Sequence, residues 1–520
     1  MSEVKSPAAE RFAPRGYPGR RQRPDLTTGP IAKTLITFAI PVLGSNVLQS
    51  LNGSANAIWV SHVLGEAALT ATSNANQILF LMLGLVFGVS MAANIMIGQA
   101  IGAEDTALAK KVIGTCTTFF LVLSTSVGVL GGLLTPHILD AMGTPAAARP
   151  QAIAYLRVIF SAVPFMYFFN FMMMSQRGAG DSRTPFYFAI LQVGLDIILN
   201  PLLIMGIGPF PKLGIAGSAT STLVSQSFTL LVMLVVLYRR RSILVIRPSE
   251  ARLLVPDFGM IRTLVLKGLP MGLQMIVVSL AAVTMMSLVN RYGVHTSAAY
   301  GAASQLWTYV QMPAMALGGA VSSMAAQNVG AGKMERVEQV ARTGGLFAIL
   351  FTGLPVLVIF FGDPWVLRAF LPATSPSLPI AVHINAIVIW GFVPFGVAFI
   401  FSGIVRATGA VWPPLLAMAL SLWGVRVPLA RFLEPQIGAD AIWLAFPAGS
   451  VMTCALAFGY YRWGGWRKAR MLQIRPSADV ADTGLGQPML EESEAITDAE
   501  ELSLATAPAP NRPRSEAPAG

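Results

Sequence analysis

From about residue 34 to residue 461 the chain alternates long apolar runs with short polar breaks. Twelve runs are long enough to cross roughly 30 Å of hydrocarbon as helices. They fall at 34–60, 68–100, 110–138, 151–175, 185–207, 214–238, 263–290, 298–327, 341–362, 377–403, 412–433 and 440–461. The pattern predicts an all-α membrane protein with twelve transmembrane helices. Composition points the same way. Hydrophobic residues make up 54% of the chain and charged residues 12%, with a mean hydropathy of +0.62. That charged share is about half the usual value for a soluble domain.

The polar breaks alternate in charge. Lys110 and Lys111, Arg177 and Arg183, the stretch YRRRSILVIRPSEARLL, then Lys333, Arg336 and Arg342, and finally Arg406 all fall in every second break. Arg462, Arg467, Lys468 and Arg470 follow the last run. Basic loops stay in the cytoplasm, so both termini are expected there. The net charge of +11 belongs to these loops and calls for no nucleic acid. The first thirty residues are basic, rich in Pro and Gly, and hold no apolar signal-peptide core. The domain scheme expected is a disordered tail at 1–30, an N-lobe at 31–240, a basic cytoplasmic linker at 241–262, a C-lobe at 263–465, and a disordered acidic and Pro-rich tail at 466–520.

The two lobes repeat each other. GQAIGAED, starting at 98, aligns with AQNVGAGK at 326, an offset of 228. RGAGDSRTP at 177 aligns with RATGAVWPP at 406, an offset of 229. Six spans per copy is an even number, so both copies enter the membrane in the same direction. Two parallel-repeat lobes around a central cavity suit a secondary transporter that works by alternating access. No GxxxxGK[ST] phosphate loop is present to drive transport with ATP.

Within the fifth run, LQVGLDIILNPLLI places Asp196 among apolar residues. A charged Asp at a span centre costs about 2.5–3.5 kcal/mol on insertion scales, which marks it as a functional candidate. Asn200 follows four residues later and shares its helix face. Pro201 lacks an N–H and frees a carbonyl one turn back. Asp363 and the remaining acids fall in breaks or at span edges. Arg426 is a second charge inside a run, with snorkelling to the interface as its simpler role. Tyr167 and Asn170, in the Met- and aromatic-rich MYFFNFMMMSQ, are cavity candidates, and Pro41 and Pro270 are hinge candidates. Cys116 and Cys454 make no metal spacing, and the four histidines form no HExxH. No metal or cofactor is expected. GAGD at 178–181 matches an intramembrane protease string, but no opposing acid accompanies it.

Taken together, GQAIGAED, its copy AQNVGAGK, RGAGDSRTPFYFAILQVGLDIILNPLLI, LGIAGSATSTLVSQ and IGADAIWLAFP resemble the multidrug and toxic compound extrusion (MATE) family over residues 30–465, and its bacterial DNA-damage-inducible-type branch in particular. The resemblance implies a monomeric antiporter in the lipid bilayer of a bacterial inner membrane. It would export cationic or amphipathic small molecules, driven by H⁺ or Na⁺. It also implies that Asn56 and Thr222 join Asp196 and Asn200 as supporting oxygens of a coupling site. Asn56 stands where the family usually has Asp, and the order Asp196 then Asn200 reverses a common family order. The family's C-lobe acids fall near Val278 and Phe395, which are apolar. With the first-span carboxylate missing, H⁺ is favoured over Na⁺. The alternative is a flippase for a lipid-linked oligosaccharide, whose phosphates would demand bases in the cavity.

Overall fold

The computed structural model describes residues 25–472, apart from 65, 142, 145–148 and 369. Of the expected tails at 1–30 and 466–520, residues 1–24 and 473–520 lie outside the described residues.

Twelve helical rods follow in order: α1 Ile31–Leu64, α2 Glu66–Gly102, α3 Thr106–Ala141, α4 Arg149–Gly178, α5 Arg183–Met205, α6 Ile215–Arg239, α7 Phe258–Val289, α8 Val294–Gly330, α9 Met334–Leu367, α10 Ser377–Thr408, α11 Trp412–Ile437 and α12 Asp440–Trp463. No strand is found among the described residues. Eleven of the rods are long and apolar enough to cross a membrane. The exception is α8. At 37 residues it has the length, but its many Gly, Ala, Ser, Gln and Asn residues dilute its hydropathy. Small and polar side chains suit its place, because α8 packs against α1, α2, α9 and both segments of α10 and is buried along most of its second half.

Two rods are broken. In α10 a 3₁₀ turn at Ile389–Gly391 separates two α segments. In α11 a π-helical stretch, Leu420–Arg426, lies ahead of Pro428. Such π-bulges are uncommon and gather at functional sites. Pro41 and Pro270 lie inside α1 and α7. Gly268 and Gly272 flank Pro270 and let the backbone of α2 approach closely near Gly88.

Helices α1–α6 form one packed set and α7–α12 another, and the two sets meet along α2/α7, α2/α8 and α1/α8. At the end that carries Arg177, Lys333 and Arg406, here called the basic end, the repeat motifs face each other. Gln99 Nε2 on α2 donates to the carbonyl of Ala407 on α10 at 2.7 Å. Its counterpart Gln327 on α8 donates to the carbonyl of Gly178 on α4 at 2.8 Å. Asn94 and Ser323 bond between them at 3.3 Å. A Cβ on Gly102 would strike the Gln327 backbone, and one on Gly330 would strike the Gln99 backbone. The duplicated sequence thus builds a reciprocal pair of latches about the axis relating the lobes.

The segment before α1 adds to this seal. Leu26, at 1% exposure, is buried, and its carbonyl accepts from Asn328 at 3.0 Å. Arg336 donates to the carbonyls of Thr28 and Gly29, both at 2.8 Å. Residues 25–30, expected within the N-terminal tail, are therefore docked on the second lobe. At the other limit, Trp466 is buried and stacks on Tyr461 at 5.3 Å, so the ordered C-lobe runs past 465. The linker is ordered too. Glu250 pairs with Lys110, Asp257 pairs with Lys111 at 2.6 Å, and the carbonyl of Leu254 accepts from Thr118 at 2.6 Å. The Lys111 partner holds the Asp257 carboxyl below its usual range. The clamp is therefore complete above the ordinary Asp range and is lost only as pH falls through the lowered value.

Replacing Gln99 and Gln327 together by Leu leaves the Ala407 and Gly178 carbonyls without their donors. An orphaned buried polar group costs about 1–3 kcal/mol. The expected result is wider spacing between the lobes at the basic end, measured by distance between spin labels on α2 and α8. Unchanged spacing would show that the latches do not hold this end.

Candidate functional site

Helix α5 is set in place at the basic end by Asp181. Its carboxylate accepts the backbone N–H groups of Arg183 and Thr184, each at 3.0 Å, and the Thr184 hydroxyl at 2.5 Å. This accounts for the acid of the GAGD string as a helix-start anchor. Three and a half turns further along, Asp196 faces inward at 2% exposure. Asn52 Nδ2 on α1 donates to one of its oxygens at 2.9 Å. Ser221 Oγ on α6 donates to the other at 2.7 Å. Thr222 Oγ1 lies 3.4 Å from both. Among the described residues no Lys, Arg or His is ion-paired with Asp196.

Asn200, one turn on, is also buried, but it does not bond Asp196. Its amide nitrogen donates to Asn56 Oδ1 at 2.9 Å. The Ser218 hydroxyl donates to the same oxygen at 2.5 Å, and the Tyr155 hydroxyl bonds Asn56 as well. Two donors on one amide oxygen fix its orientation. Asn56 therefore supplies the acceptor that an Asp would supply there, without the charge.

Ser221 and Thr222 each have a choice. A hydroxyl has one hydrogen to donate. Ser221 can give it to Asp196 or to the Ser218 carbonyl, at 2.7 and 2.8 Å. Thr222 has the same pair of acceptors at 3.4 Å. When Asp196 is charged, both hydroxyls can point at it. When it is protonated, they can turn to Ser218 and accept its proton instead. Nearer the basic end, Gln192 Oε1 and Gln226 Oε1 are buried without a hydrogen-bond partner, as is Asn200 Oδ1. Buried polar atoms of this kind are commonly completed by water.

All four residues expected at the coupling site are thus in one connected cluster. Asn52, Ser218, Ser221 and Tyr155 belong to it too and were not anticipated. Asn52 lies four residues before Asn56, a same-face spacing on an apolar run, which is the signal that could have found it. Tyr167 is buried on α4, and the Asn170 Oδ1 nearby is unsatisfied. Neither is seen bonded to the Asp196 cluster.

Arg426 does not snorkel. It is 9% exposed, its guanidinium lies 3.9 Å from the Phe446 ring centre, and it bonds Tyr300. The offset of 228–229 carries Asp196 to Gly424 and Val425, beside this guanidinium. The two lobes therefore differ in kind at equivalent positions. A groove of about 720 Å³, lined by Thr284, Trp423, Val427, Pro428, Arg431 and Phe432, lies in the second lobe and touches none of the Asp196 cluster.

A duplicated bundle of apolar helices with a buried carboxylate set among neutral polar side chains is the build of a membrane transport protein. Residues 41–202 and 270–432 each match the MatE family model, and the two matches start 229 residues apart. The chain belongs to this family of multidrug efflux transporters. It is 36% identical to the probable multidrug resistance protein YoeA of Bacillus subtilis (strain 168), over 85% of this chain and 96% of that protein. It is 31% identical to the probable multidrug resistance protein YpnP of the same strain, over 86% and 98%. The fold matches a solved structure described as the outward-facing conformation of a multidrug resistance MATE family transporter of the MOP superfamily. The TM-score is 0.78 at 21% identity, covering 85% of this chain and 98% of that one.

Proposed function

We propose that the chain is a secondary antiporter that exports cationic or amphipathic small molecules, with Asp196 as the residue that takes up and releases the coupling proton. One observation carries this reading: a buried carboxylate is met only by neutral donors, and two of those hydroxyls have a second acceptor within reach. A carboxyl closed off from water favours its neutral form, and one opened to water favours its charged form. The hydroxyl switch lets the site accept both. Protonation removes the charge that holds Asn52, and α1, which carries Asn52, also packs on α8 of the other lobe. The route from proton to lobe movement then runs through α1, with Pro41 as a hinge.

Na⁺ fits less well. It needs several oxygens turned toward it, whereas Asn52 presents its amide hydrogens to the carboxylate. The basic end faces the cytoplasm in this reading, so the latched state opens to the opposite side. One copy of the chain suffices. The flippase reading gains nothing from Arg426, which is buried against Phe446 and Tyr300.

The test uses the full chain in vesicles loaded with a lipophilic cationic dye, under a pH gradient and then a Na⁺ gradient. Wild type should move dye under the pH gradient, and Asp196→Asn should lose that response while keeping its elution profile. Transport by Asp196→Asn equal to wild type under both gradients would end the proposal.

A further inference from the structure

A second buried carboxylate lies in the other lobe, outside the cluster just described. Asp363 sits one turn before the end of α9 and is only 4% exposed. It lies at the end of its span, as its place in the chain predicts, and its side chain turns inward, toward α10. Asn385 Nδ2 on α10 donates to Asp363 Oδ1 at 2.8 Å. Trp307 Nε1 on α8 donates to Asn385 Oδ1, also at 2.8 Å. An indole N–H can only donate. It therefore holds the amide oxygen toward itself and presents the amide hydrogens to Asp363.

Aromatic rings surround this relay. Trp307 packs on Tyr300 at 5.4 Å, on Phe446 at 5.4 Å and on Phe392 at 5.9 Å, and Tyr300 stacks on Trp443 at 5.8 Å. His295, at the start of α8, is exposed, and other charged groups on the surrounding elements are engaged elsewhere. His383 of α10 pairs with Asp440 of α12 at 2.8 Å, and both are exposed. Arg368, following α9, lies 4.8 Å from the Trp365 ring centre. Arg426 of α11 lies against Phe446 and bonds Tyr300 of α8. None of them is seen paired with Asp363. A buried anion without a counter-charge is strongly disfavoured, and one neutral donor offsets only part of that cost.

We propose that Asp363, held by Asn385 and Trp307, is a second proton-binding site, placed in the lobe that lacks an acid at the position equivalent to Asp196. A proton fits better than a metal cation. The Asn385 oxygen is turned away by Trp307, so the neighbouring amide cannot supply an oxygen to the shell that a hard cation requires. Proton binding here does not depend on coupling at Asp196, and the two assignments can fail separately.

Infrared difference spectra of the full chain in liposomes, recorded between acid and neutral pH without substrate, test this. Wild type should show a protonated-carboxyl stretching band that Asp363→Asn removes and Asp196→Asn keeps. Asp363→Glu retains a carboxyl and should shift that band, which secures the assignment if the Asn variant folds poorly. The pH-dependent change in tryptophan emission should also be lost in Asp363→Asn and in Trp307→Phe. Spectra of Asp363→Asn identical to wild type, an unshifted band in Asp363→Glu, or a signal that follows Na⁺ at constant pH would each overturn the proposal.

Discussion

Gly330→Val is expected to hold the lobes apart at the basic end and to lower transport about a hundredfold. A Cβ on Gly330 would stand on the Gln99 carbonyl of α2, and the obstacle is backbone, which cannot swing aside as a side chain can. Overpacking a tight contact costs about 1–3 kcal/mol, and a clash with backbone belongs at the top of that range. About 2.7 kcal/mol corresponds to a hundredfold loss of the closed population. Gly102→Val should act alike, since its Cβ would meet the Gln327 carbonyl across the same axis. Gly319→Val is the control, because nothing lies within 4 Å of a Cβ there. Spin labels on α2 and α8 would report the separation, and dye movement the transport. If Gly330→Val and Gly319→Val behave alike, the close crossing of the two lobes is not what closes this end.

Trp307→Ala is expected to destabilise the second lobe by about 3 kcal/mol, the lower end of the range for a large aromatic truncated in a core. The lower end applies because lipid is already apolar, so little transfer energy is lost and the cavity dominates. Trp307 is 3% exposed and touches Tyr300, Phe392 and Phe446. Removing it also strips Asn385 Oδ1 of its donor. Trp307→Phe keeps most of the packing and loses only the N–H. It should cost about 1–3 kcal/mol, the usual penalty for an orphaned buried acceptor. Thermal unfolding of both variants in detergent gives the comparison. Equal midpoints for Trp307→Ala and wild type would show that this cluster does not hold the lobe together.

The sequence was a good guide wherever a property belongs to one segment. Span positions follow from apolar run length, and the exception among them, α8, is diluted by small residues that other helices cover. Asp196 was legible because one charge in an apolar run is locally anomalous. Asn52, Ser218 and Ser221 were not, because a lone amide or hydroxyl in a span is unremarkable until its partner is known. Asp363 shows the opposite limit: it does lie at the end of its span, as chain order predicts. Its position near the end of a run says nothing about which way the helix face turns, and α9 turns it toward Asn385.

The repeated glutamines show where the division falls. Chain order alone displays Gln99 and Gln327 as copies of one position, along with the spans, the alternating loop charges and the solitary acid in α5. It cannot say that each amide reaches the carbonyl next to the repeated arginine of the opposite lobe. Periodicity and composition are set by neighbours within a helix, whereas these bonds join residues about 150 and 300 positions apart. Only the packing of α2 against α8 decides them, because close approach there depends on glycines from both lobes meeting at one crossing.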